Sequence, residues 1–264
     1  MYKLIASDMD GTLLRSDRTI SEKTVNTIRS LKQKGVKFVL STGRPLVAVE
    51  KYNELLELNG PAIIYNGAQI YDFASKKIIF EKYLDFADAK FIWDEGLKRN
   101  VEMYLWAENV LYTNLVNDRI YEYTGESRAA FKKLENINEI SDKKVTKIIW
   151  DDSGDIIEKY VKELDEIGFY EKVNYCSSML RFLEFFNKDT SKKVAIQKLE
   201  EIYNITKDEI IAIGDGNNDI EMISYAGLGV AMGNADDKVK SIAKIVTTTN
   251  DEEGVLNVID KYVL

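Results

Sequence analysis

Short apolar runs alternate with segments whose apolar residues recur every three or four positions, and this alternation is clearest at the two ends of the chain. Near the amino terminus, three apolar runs predict strands at Leu4–Ala6, Val36–Leu40 and Ala62–Ile64. Helical spacing predicts one helix between Ser21 and Gly35, and a second between Pro45 and Gly60, with start and stop residues typical of helices.

The carboxyl-terminal part repeats the pattern. Its predicted elements are a helix with Ala195 and Leu199, strands at Ile210–Ile213, Leu228–Ala231 and Ile245–Val246, a short helix around Ile220 and Ile223, and a last helix with Val255 and Ile259. Apolar strands without polar alternation, placed between helices, are typical of a parallel sheet covered on both faces. The pattern therefore predicts an α/β fold.

The segment between about residues 83 and 186 has a different texture, because it holds all three tryptophans and most of the other aromatic residues. Val101–Trp106 and Val145–Trp150 are typical of half-buried strands with an exposed edge or face. We interpret the segment as an inserted α/β domain whose aromatic residues fill its own core. The alternative is one continuous domain, since no Pro/Gly/Ser-rich linker marks the joins.

Charge and composition narrow the classes of function. A net charge of -8 and a pI near 4.9 argue against binding nucleic acid or an anionic membrane surface. No apolar run approaches the ~20 residues of a membrane span, and no signal peptide precedes the first acids. Together with the single cysteine, Cys176, this predicts a cytoplasmic protein. Histidine is absent, which excludes histidine-based triads and zinc sites, so acid–base work must fall to carboxylates, lysine or tyrosine.

Two carboxylates follow the first predicted strand, in the sequence DMDGTLL at positions 8–14. Residues two apart in a strand point to the same side, so Asp8 and Asp10 are expected to face one pocket. Clustered carboxylates repel each other and usually require a cation between them. A solvated acidic turn is the alternative when this segment is considered alone.

Three further segments carry complementary chemistry, and ligands of open parallel sheets bind beyond the carboxyl ends of the strands. Ser41-Thr42-Gly43-Arg44 follows the second strand, and Gly214–Asp219 follows the strand at 210–213. Lys192 opens the helix of Ala195 and Leu199. Alone, Thr42 could be a helix cap, Lys192 a solvated charge and GDGNND a turn. Together they offer carboxylates to a hard cation, and hydroxyl, amide and ammonium groups to phosphate oxygens.

In this order, DMDGTLL, STGR, Lys192 and GDGNNDIEM resemble the four motifs of the haloacid dehalogenase superfamily. The ending GLGVAMGNA, followed by DEEGV, is similar to the Cof-type sugar-phosphatase branch. The resemblance implies a Rossmann-like, doubly wound core domain from residues 1–82 and 187–264, with an inserted α/β cap domain at 83–186.

The resemblance also implies roles for the acidic residues. Asp8 would be the nucleophile that becomes an aspartyl phosphate, and Asp10 the general acid and then the general base. Mg²⁺ would be held by Asp8, the backbone carbonyl of Asp10 and Asp215.

The remaining motif residues would bind the phosphoryl group. Thr42, the amide of Gly43, Lys192 and Asn218 would stabilise its charge, with Thr42 and Lys192 also counted as catalytic. Arg44 would approach the phosphate or brace the turn. Two assignments stay open, namely whether Asp219 orients Lys192 or a metal-bound water, and whether Lys192 or Lys193 points inward.

The function predicted in this way is Mg²⁺-dependent hydrolysis of small phosphorylated metabolites, either sugar phosphates or phosphorylated cofactors. A phosphomutase with the same aspartyl phosphate is the alternative within enzymes, and a non-enzymatic phospho-aspartate switch is the alternative outside them. Substrate identity and oligomeric state are not readable. A dinucleotide fingerprint at Gly227-x-Gly229 is not favoured, because Met232 replaces the third glycine, and Asn66-Gly67 is interpreted as a turn.

Overall fold

A computed structural model describes residues 1–127 and 129–264. Their contacts form two compact units, one of Met1–Arg44, Val49–Phe80 and Ser191–Leu264, the other of Pro45–Ala48 and Glu81–Thr190. The strands are β1 (Leu4–Ser7), β2 (Lys37–Leu40), β3 (Pro61–Ile64), β4 (Gln69–Asp72), β5 (Lys77–Glu81), β6 (Glu102–Ala107), β7 (Val110–Thr113), β8 (Phe131–Lys133), β9 (Val145–Asp151), β10 (Val173–Met179), β11 (Phe182–Asn187), β12 (Ile210–Gly214), β13 (Leu228–Ala231) and β14 (Ile245–Val246).

The helices connect these strands. They are α1 (Glu22–Ser30), α2 (Leu46–Leu56), α3 (Phe86–Lys98), α4 (Asp118–Thr124), α5 (Gly154–Glu166), α6 (Lys192–Tyr203), α7 (Ile220–Tyr225), α8 (Asp237–Ile242) and α9 (Gly254–Tyr262). Among the residues that the structure describes, no helix combines the length and the apolar character needed to cross a membrane.

The first unit is built on a parallel sheet with strand order β14-β13-β12-β1-β2, so the predicted α/β fold with a parallel core is confirmed. Strands β1, β12 and β13 are buried along their whole length, which explains their uninterrupted apolar sequences. Strand β1 has β12 on one side and β2 on the other.

The register of this sheet brings three strand ends to one edge. Ser7, the last residue of β1, pairs with Leu40 of β2 and Ile213 of β12. The backbone N–H of Asp8 continues the ladder by donating to the carbonyl of Ile213 at 2.9 Å. The residues that follow β1, β2 and β12 therefore leave the sheet side by side, which is where ligands of parallel sheets bind.

Strand β3 departs from the simple alternation that the sequence predicts. It pairs antiparallel with β4 in a separate sheet of order β3-β4-β5 and meets the core sheet through a bridge between Ser41 and Ile63. The cause is the tight turn at Tyr65–Gly67, which reverses the chain directly after β3. Neither β4 nor β5 is among the predicted strands: β4 is polar at both ends, and the apolar residues Ile78 and Ile79 of β5 are exposed.

The second unit is built on a mostly antiparallel sheet of order β10-β11-β9-β6-β7-β8. Helices α3 and α5 contribute residues such as Trp93 and Tyr160 to a core that includes Met103 and Trp150 from the sheet. The aromatic residues of this segment thus fill a core, as expected from its composition.

The expectation of an exposed face on β6 and β9 is wrong, because every residue of both strands is buried. Helix α4 contributes to covering the second face, where the ring of Tyr123 stacks on Tyr104 at 4.3 Å and its hydroxyl accepts from Trp106 Nε1 at 2.8 Å. Charged residues on this face are paired inside it, for example Lys147 Nζ with Glu184 Oε2 at 3.0 Å. A covering helix from elsewhere in the chain cannot be read from strand periodicity.

Candidate active site

Three carboxylates meet at the carboxyl edge of the core sheet. Asp8, Asp215 and Asp219 each offer one oxygen, and these oxygens lie within 4.8 Å of one another. Asp8 and Asp219 are buried, while Asp215 is partly exposed. Burial raises the pKa of Asp8 well above its usual value, and the neighbouring carboxylates raise it further, although the Lys192 ammonium opposes them. The ionised cluster therefore needs positive charge.

Lys192 supplies part of that charge. Its Nζ donates to Asp8 Oδ1 at 2.5 Å and to Asp219 Oδ1 at 2.6 Å, and its side chain is 0% exposed. Burial alone would lower the pKa of Lys192, but Asp219 and Asp8 more than offset this and raise it, so the ammonium stays protonated. The neighbouring Lys193 is 37% exposed and lies 3.9 Å from Glu221. Lys192 is thus the lysine that points into the cluster.

Asp219 is held on both of its oxygens. While Oδ1 accepts from Lys192, Oδ2 accepts from the backbone N–H groups of Asp215 and Gly216, each at 3.0 Å. This loop has no room for a side chain at Gly214, where a Cβ would lie 2.4 Å from Asp219 Cγ. Asp219 is therefore bound to Lys192 and to its own loop, which fits the orienting role left open by the sequence.

The donor set fits a hard divalent cation. Carboxylate oxygens are the ligands that Mg²⁺ prefers, and the cluster brings several of them together around a single lysine. Asp215 is oriented by Thr12, whose Oγ1 donates to Asp215 Oδ1 at 2.6 Å. Burial raises the pKa of Asp215 to about 6, against the hydrogen bond from Thr12, which lowers it.

Asp10 lies at the same edge but is engaged differently. Arg44 binds it with two hydrogen bonds, one from Nε to Oδ2 at 2.7 Å and one from Nη2 to Oδ1. The Asp10 side chain is 57% exposed, whereas that of Arg44 is 18% exposed. The structure therefore places the Arg44 guanidinium on the side chain of the predicted acid, and bidentate geometry fixes the orientation of both groups.

Thr42, Gly43 and Asn218 are joined through a residue that the sequence analysis treats only as part of a turn. Asn66 donates its N–H to the carbonyl of Thr42 at 3.0 Å, and its Oδ1 accepts from Asn218 Nδ2 at 3.0 Å. A Cβ at Gly43 would lie 2.8 Å from Asn66 Oδ1. Asn66 is 1% exposed, so it is a buried link between two of the predicted phosphate-binding segments.

The turn that carries Asn66 has an unusual backbone. Tyr65, Asn66 and Gly67 have φ values of 51°, 56° and 94°, a region that favours glycine and asparagine and is costly for tyrosine. Gly67 packs against the start of α6, because a Cβ there would lie 2.2 Å from the carbonyl oxygen of Ser191. The sequence signal for this turn was an Asn-Gly pair directly after an apolar strand at the ligand edge.

Replacing Asn66 with glycine should raise the KM for a phosphate ester about fivefold, because Asn218 loses the partner that orients it. Glycine tolerates the left-handed backbone but removes the acceptor for Asn218, a hydrogen bond worth about 1 kcal/mol. Asn204→Gly is the matched control, since Asn204 has a φ of 50° at the end of α6. Steady-state kinetics of both variants test this, and an equal effect in the control would attribute the change to backbone flexibility.

With the geometry established, comparison with known proteins identifies the family. A model of haloacid dehalogenase-like hydrolases matches residues 5–259. The chain belongs to this family. The motif resemblance, including that to the Cof-type branch, is thereby confirmed. Phosphatases are among its relatives, so the chain is a hydrolase that acts on phosphate esters.

Relatives and solved structures agree with this assignment over the whole chain. The Bacillus subtilis 5-amino-6-(5-phospho-D-ribitylamino)uracil phosphatase YcsE is 34% identical over 262 residues, covering 99% of this chain and 96% of YcsE. Phosphatase YwpJ of the same organism is 30% identical, covering 96% and 97% of the two chains. A haloacid dehalogenase-like hydrolase from Bacteroides thetaiotaomicron superposes with a TM-score of 0.88 at 30% identity, covering 99% of each chain.

Proposed function

We propose that this hydrolase is a Mg²⁺-dependent phosphatase that removes phosphate from small metabolites through an aspartyl phosphate on Asp8. The observation that carries the proposal is the buried pairing of Asp8 with Lys192 beside Asp215 and Asp219. A buried carboxylate at the ligand edge of a parallel sheet, fixed by a protonated lysine, is suited to attack phosphorus and to stabilise the resulting charge.

In the first half of the reaction, an Asp8 carboxylate oxygen forms a bond to phosphorus as the bond between phosphorus and the ester oxygen breaks. Asp10 gives a proton to the departing alcohol oxygen, which allows a poor leaving group to leave. Lys192, Thr42, the amide of Gly43 and Asn218 would stabilise the charge on the phosphoryl oxygens.

In the second half, water attacks the phosphorus of the acyl phosphate, and Asp10 accepts the proton that the water loses. The bond between phosphorus and Asp8 then breaks, which releases inorganic phosphate and restores the carboxylate. Arg44 keeps the Asp10 side chain in a defined position between these steps, and in this role it braces the acid.

Asp8, Asp215 and the backbone carbonyl of Asp10 would hold the metal ion, with Asp219 committed to Lys192 and to backbone amides. When bound, Mg²⁺ would neutralise the carboxylates and the phosphoryl oxygens that they would otherwise repel.

The substrate class is a small phosphorylated metabolite, either a sugar phosphate or a phosphorylated cofactor or cofactor precursor. The name of YcsE states a phosphorylated ribitylamino-uracil as its substrate, which supports the second group. We further propose that residues 83–186 act as the cap domain and choose the leaving group, between core segments 1–82 and 187–264. The cytoplasmic location and the absence of nucleic-acid partners stay predictions from composition.

Purified protein with Mg²⁺ should release inorganic phosphate from p-nitrophenyl phosphate and from a panel of sugar phosphates and phosphorylated cofactors, and EDTA should abolish this. Mg²⁺ should also raise the melting temperature, because binding to the folded state at 100 times Kd stabilises it by about 2.7 kcal/mol. An isomerised sugar that keeps its phosphate would indicate a phosphomutase instead. A phosphoprotein that survives for hours in Mg²⁺ buffer would indicate a switch.

A further inference from the structure

The signature GLGVAMGNA, followed by DEEGV, helps to place the chain in its branch but supplies none of the residues assigned above. Two asparagines of this region, Asn234 and Asn250, lie against the turn that follows Asp10. We propose that they are positioning residues that aim the Asp10 side chain. The proposal rests on the proposed function, in which Asp10 is the general acid and base.

The two side chains bind the turn through hydrogen bonds to two backbone carbonyl oxygens. Asn234 Nδ2 donates to the carbonyl oxygen of Gly11 at 2.8 Å, and Asn250 Nδ2 donates to that of Leu14 at 2.9 Å. They are also joined to each other, because the backbone N–H of Asn250 donates to Asn234 Oδ1 at 3.0 Å. We call this pair of residues the amide clamp.

The loop that carries Asn250 also binds residues further along the segment that follows Asp10. Asp251 accepts from the backbone N–H of Ser16 at 2.9 Å and from its hydroxyl at 2.7 Å. Glu253 forms an ion pair with Arg15. The segment that continues from Asp10 is therefore bound at Gly11, Leu14, Arg15 and Ser16. The side chains that bind it are those of Asn234, Asn250, Asp251 and Glu253.

On its other side, the turn is fitted closely to Asp215. Gly11 has a φ of 74°, and a Cβ at this position would lie 2.3 Å from Asp215 Oδ2. Thr12 donates to the same carboxylate at 2.6 Å. The turn thus has a fixed contact with the acidic cluster on one side and the amide clamp on the other, which leaves it little freedom to shift.

The orientation of Asp10 depends on the contacts of this turn more than the orientation of Asp8 does. Asp8 is buried and is held by the strand ladder and by Lys192, whereas the Asp10 side chain is 57% exposed. The aim of the Asp10 side chain therefore depends on its Arg44 partner and on the position of the turn that carries it. In this turn the buried Met9, Leu13 and Leu14 supply packing, and the amide clamp supplies directional hydrogen bonds. Small displacements of a catalytic group, of about 1 Å, can reduce rates by about 100-fold.

The role of Asp10 provides a readout that general structural damage would not produce. An alkyl phosphate expels a strongly basic alkoxide and depends on the acid, whereas p-nitrophenyl phosphate expels a stable nitrophenolate and depends on it little. A misaimed Asp10 should therefore reduce kcat/KM for the alkyl ester more than for the aryl ester. Damage to the metal site or to the fold would reduce both values by the same factor.

The test measures kcat/KM for both esters at saturating Mg²⁺ in Asn234→Ala, Asn250→Ala and the double variant. Each single change should lower the alkyl-to-aryl ratio about fivefold, since it removes a hydrogen bond of about 1 kcal/mol. Asp10→Asn removes the acid itself and should therefore give the lowest alkyl-to-aryl ratio of the series. Asn257→Ala is the control, because Asn257 binds Thr248 and Glu252 in the same region and makes no hydrogen bond to residues 11–16; its ratio should equal that of wild type.

Amide hydrogen exchange in a peptide covering residues 11–16 gives a second measurement that does not depend on activity. Exchange should be faster in the two clamp variants than in wild type or Asn257→Ala, because the turn opens more often. Equal losses with both esters, or unchanged exchange, would overturn the proposal. A wild-type protein inactive towards both esters would instead overturn the proposed function, and the exchange rates would then decide by themselves whether the asparagines hold the turn.

Discussion

Asp8→Asn should lower kcat for p-nitrophenyl phosphate by about 10⁴-fold or more, the scale seen when a catalytic nucleophile is removed. The amide oxygen of asparagine is a weak nucleophile, while its size and shape match those of aspartate. Asp260→Asn is a suitable control, because it makes the same change on α9 at an exposed position. The Oδ2 atom of Asp260 lies 3.7 Å from Lys23 Nζ, and both side chains are exposed. A variant with a tenth of wild-type activity would end the assignment of Asp8 as nucleophile.

The same substitution should not destabilise the metal-free protein at neutral pH. Burial raises the pKa of Asp8 above its unfolded value, with the neighbouring carboxylates adding to the effect and Lys192 opposing it. A group with a raised folded pKa favours folding while it is protonated, and this contribution is lost as the pH rises through the folded pKa. Asparagine stays neutral, so the stability of the variant relative to wild type should increase as the pH rises above about 4, the unfolded pKa of aspartate.

Urea unfolding in EDTA at several pH values measures this difference. With Mg²⁺ present, wild type should become the more stable of the two proteins. It has the full set of proposed metal ligands, whereas the variant lacks the Asp8 carboxylate and gains less stability from Mg²⁺ binding. A variant that loses stability on going from pH 4 to pH 7 relative to wild type would contradict the electrostatic account of the cluster. It would leave the kinetic test of Asp8 unaffected.

The assembly of the acidic cluster was predictable because it depends on strand ends. Apolar runs located β1 and β12, and parallel strands of one sheet end at one edge, so Asp8 and Asp215 had to be neighbours. The sequence also contains a signal that distinguishes Lys192 from Lys193. Positions 192, 195, 196 and 199 share one helix face, and apart from Lys192 the buried residues of that face are apolar.

Other parts of the site depend on contacts that local patterns do not contain. The bond between Asn66 and Asn218 joins residues 152 positions apart, and the bonds of Asn234 to Gly11 and Asn250 to Leu14 span more than 200 positions. The pairing of Arg44 with Asp10 depends on the exposed turn after β1, where periodicity carries no information. Such polar links become visible only after the fold has brought the loops together.

Lys192→Met should reduce both activity and stability, unlike Asp8→Asn. Methionine fills a similar volume but leaves Asp8 and Asp219 buried with no cation between them in the metal-free protein. Breaking a buried ion pair by removing one partner costs about 3–5 kcal/mol. The loss of a fixed charge beside the phosphoryl group should lower kcat/KM by about 10²- to 10³-fold.

Lys193→Met is the matched control, because it makes the same change one residue further along α6 at a partly exposed position. A substitution there should change the free energy of unfolding by less than about 0.5 kcal/mol and leave kcat/KM near the wild-type value. Urea unfolding with and without Mg²⁺, together with phosphate release, separates the two lysines.

If Lys193→Met had the larger effect, the geometry of the cluster around Asp8 would be wrong. If Lys192→Met lost activity but no stability in EDTA, the electrostatic account of the buried ion pair would be wrong. The stability deficit of the variant should shrink as the pH falls, because its unpaired buried carboxylates bind protons more readily in the folded state than in the unfolded state.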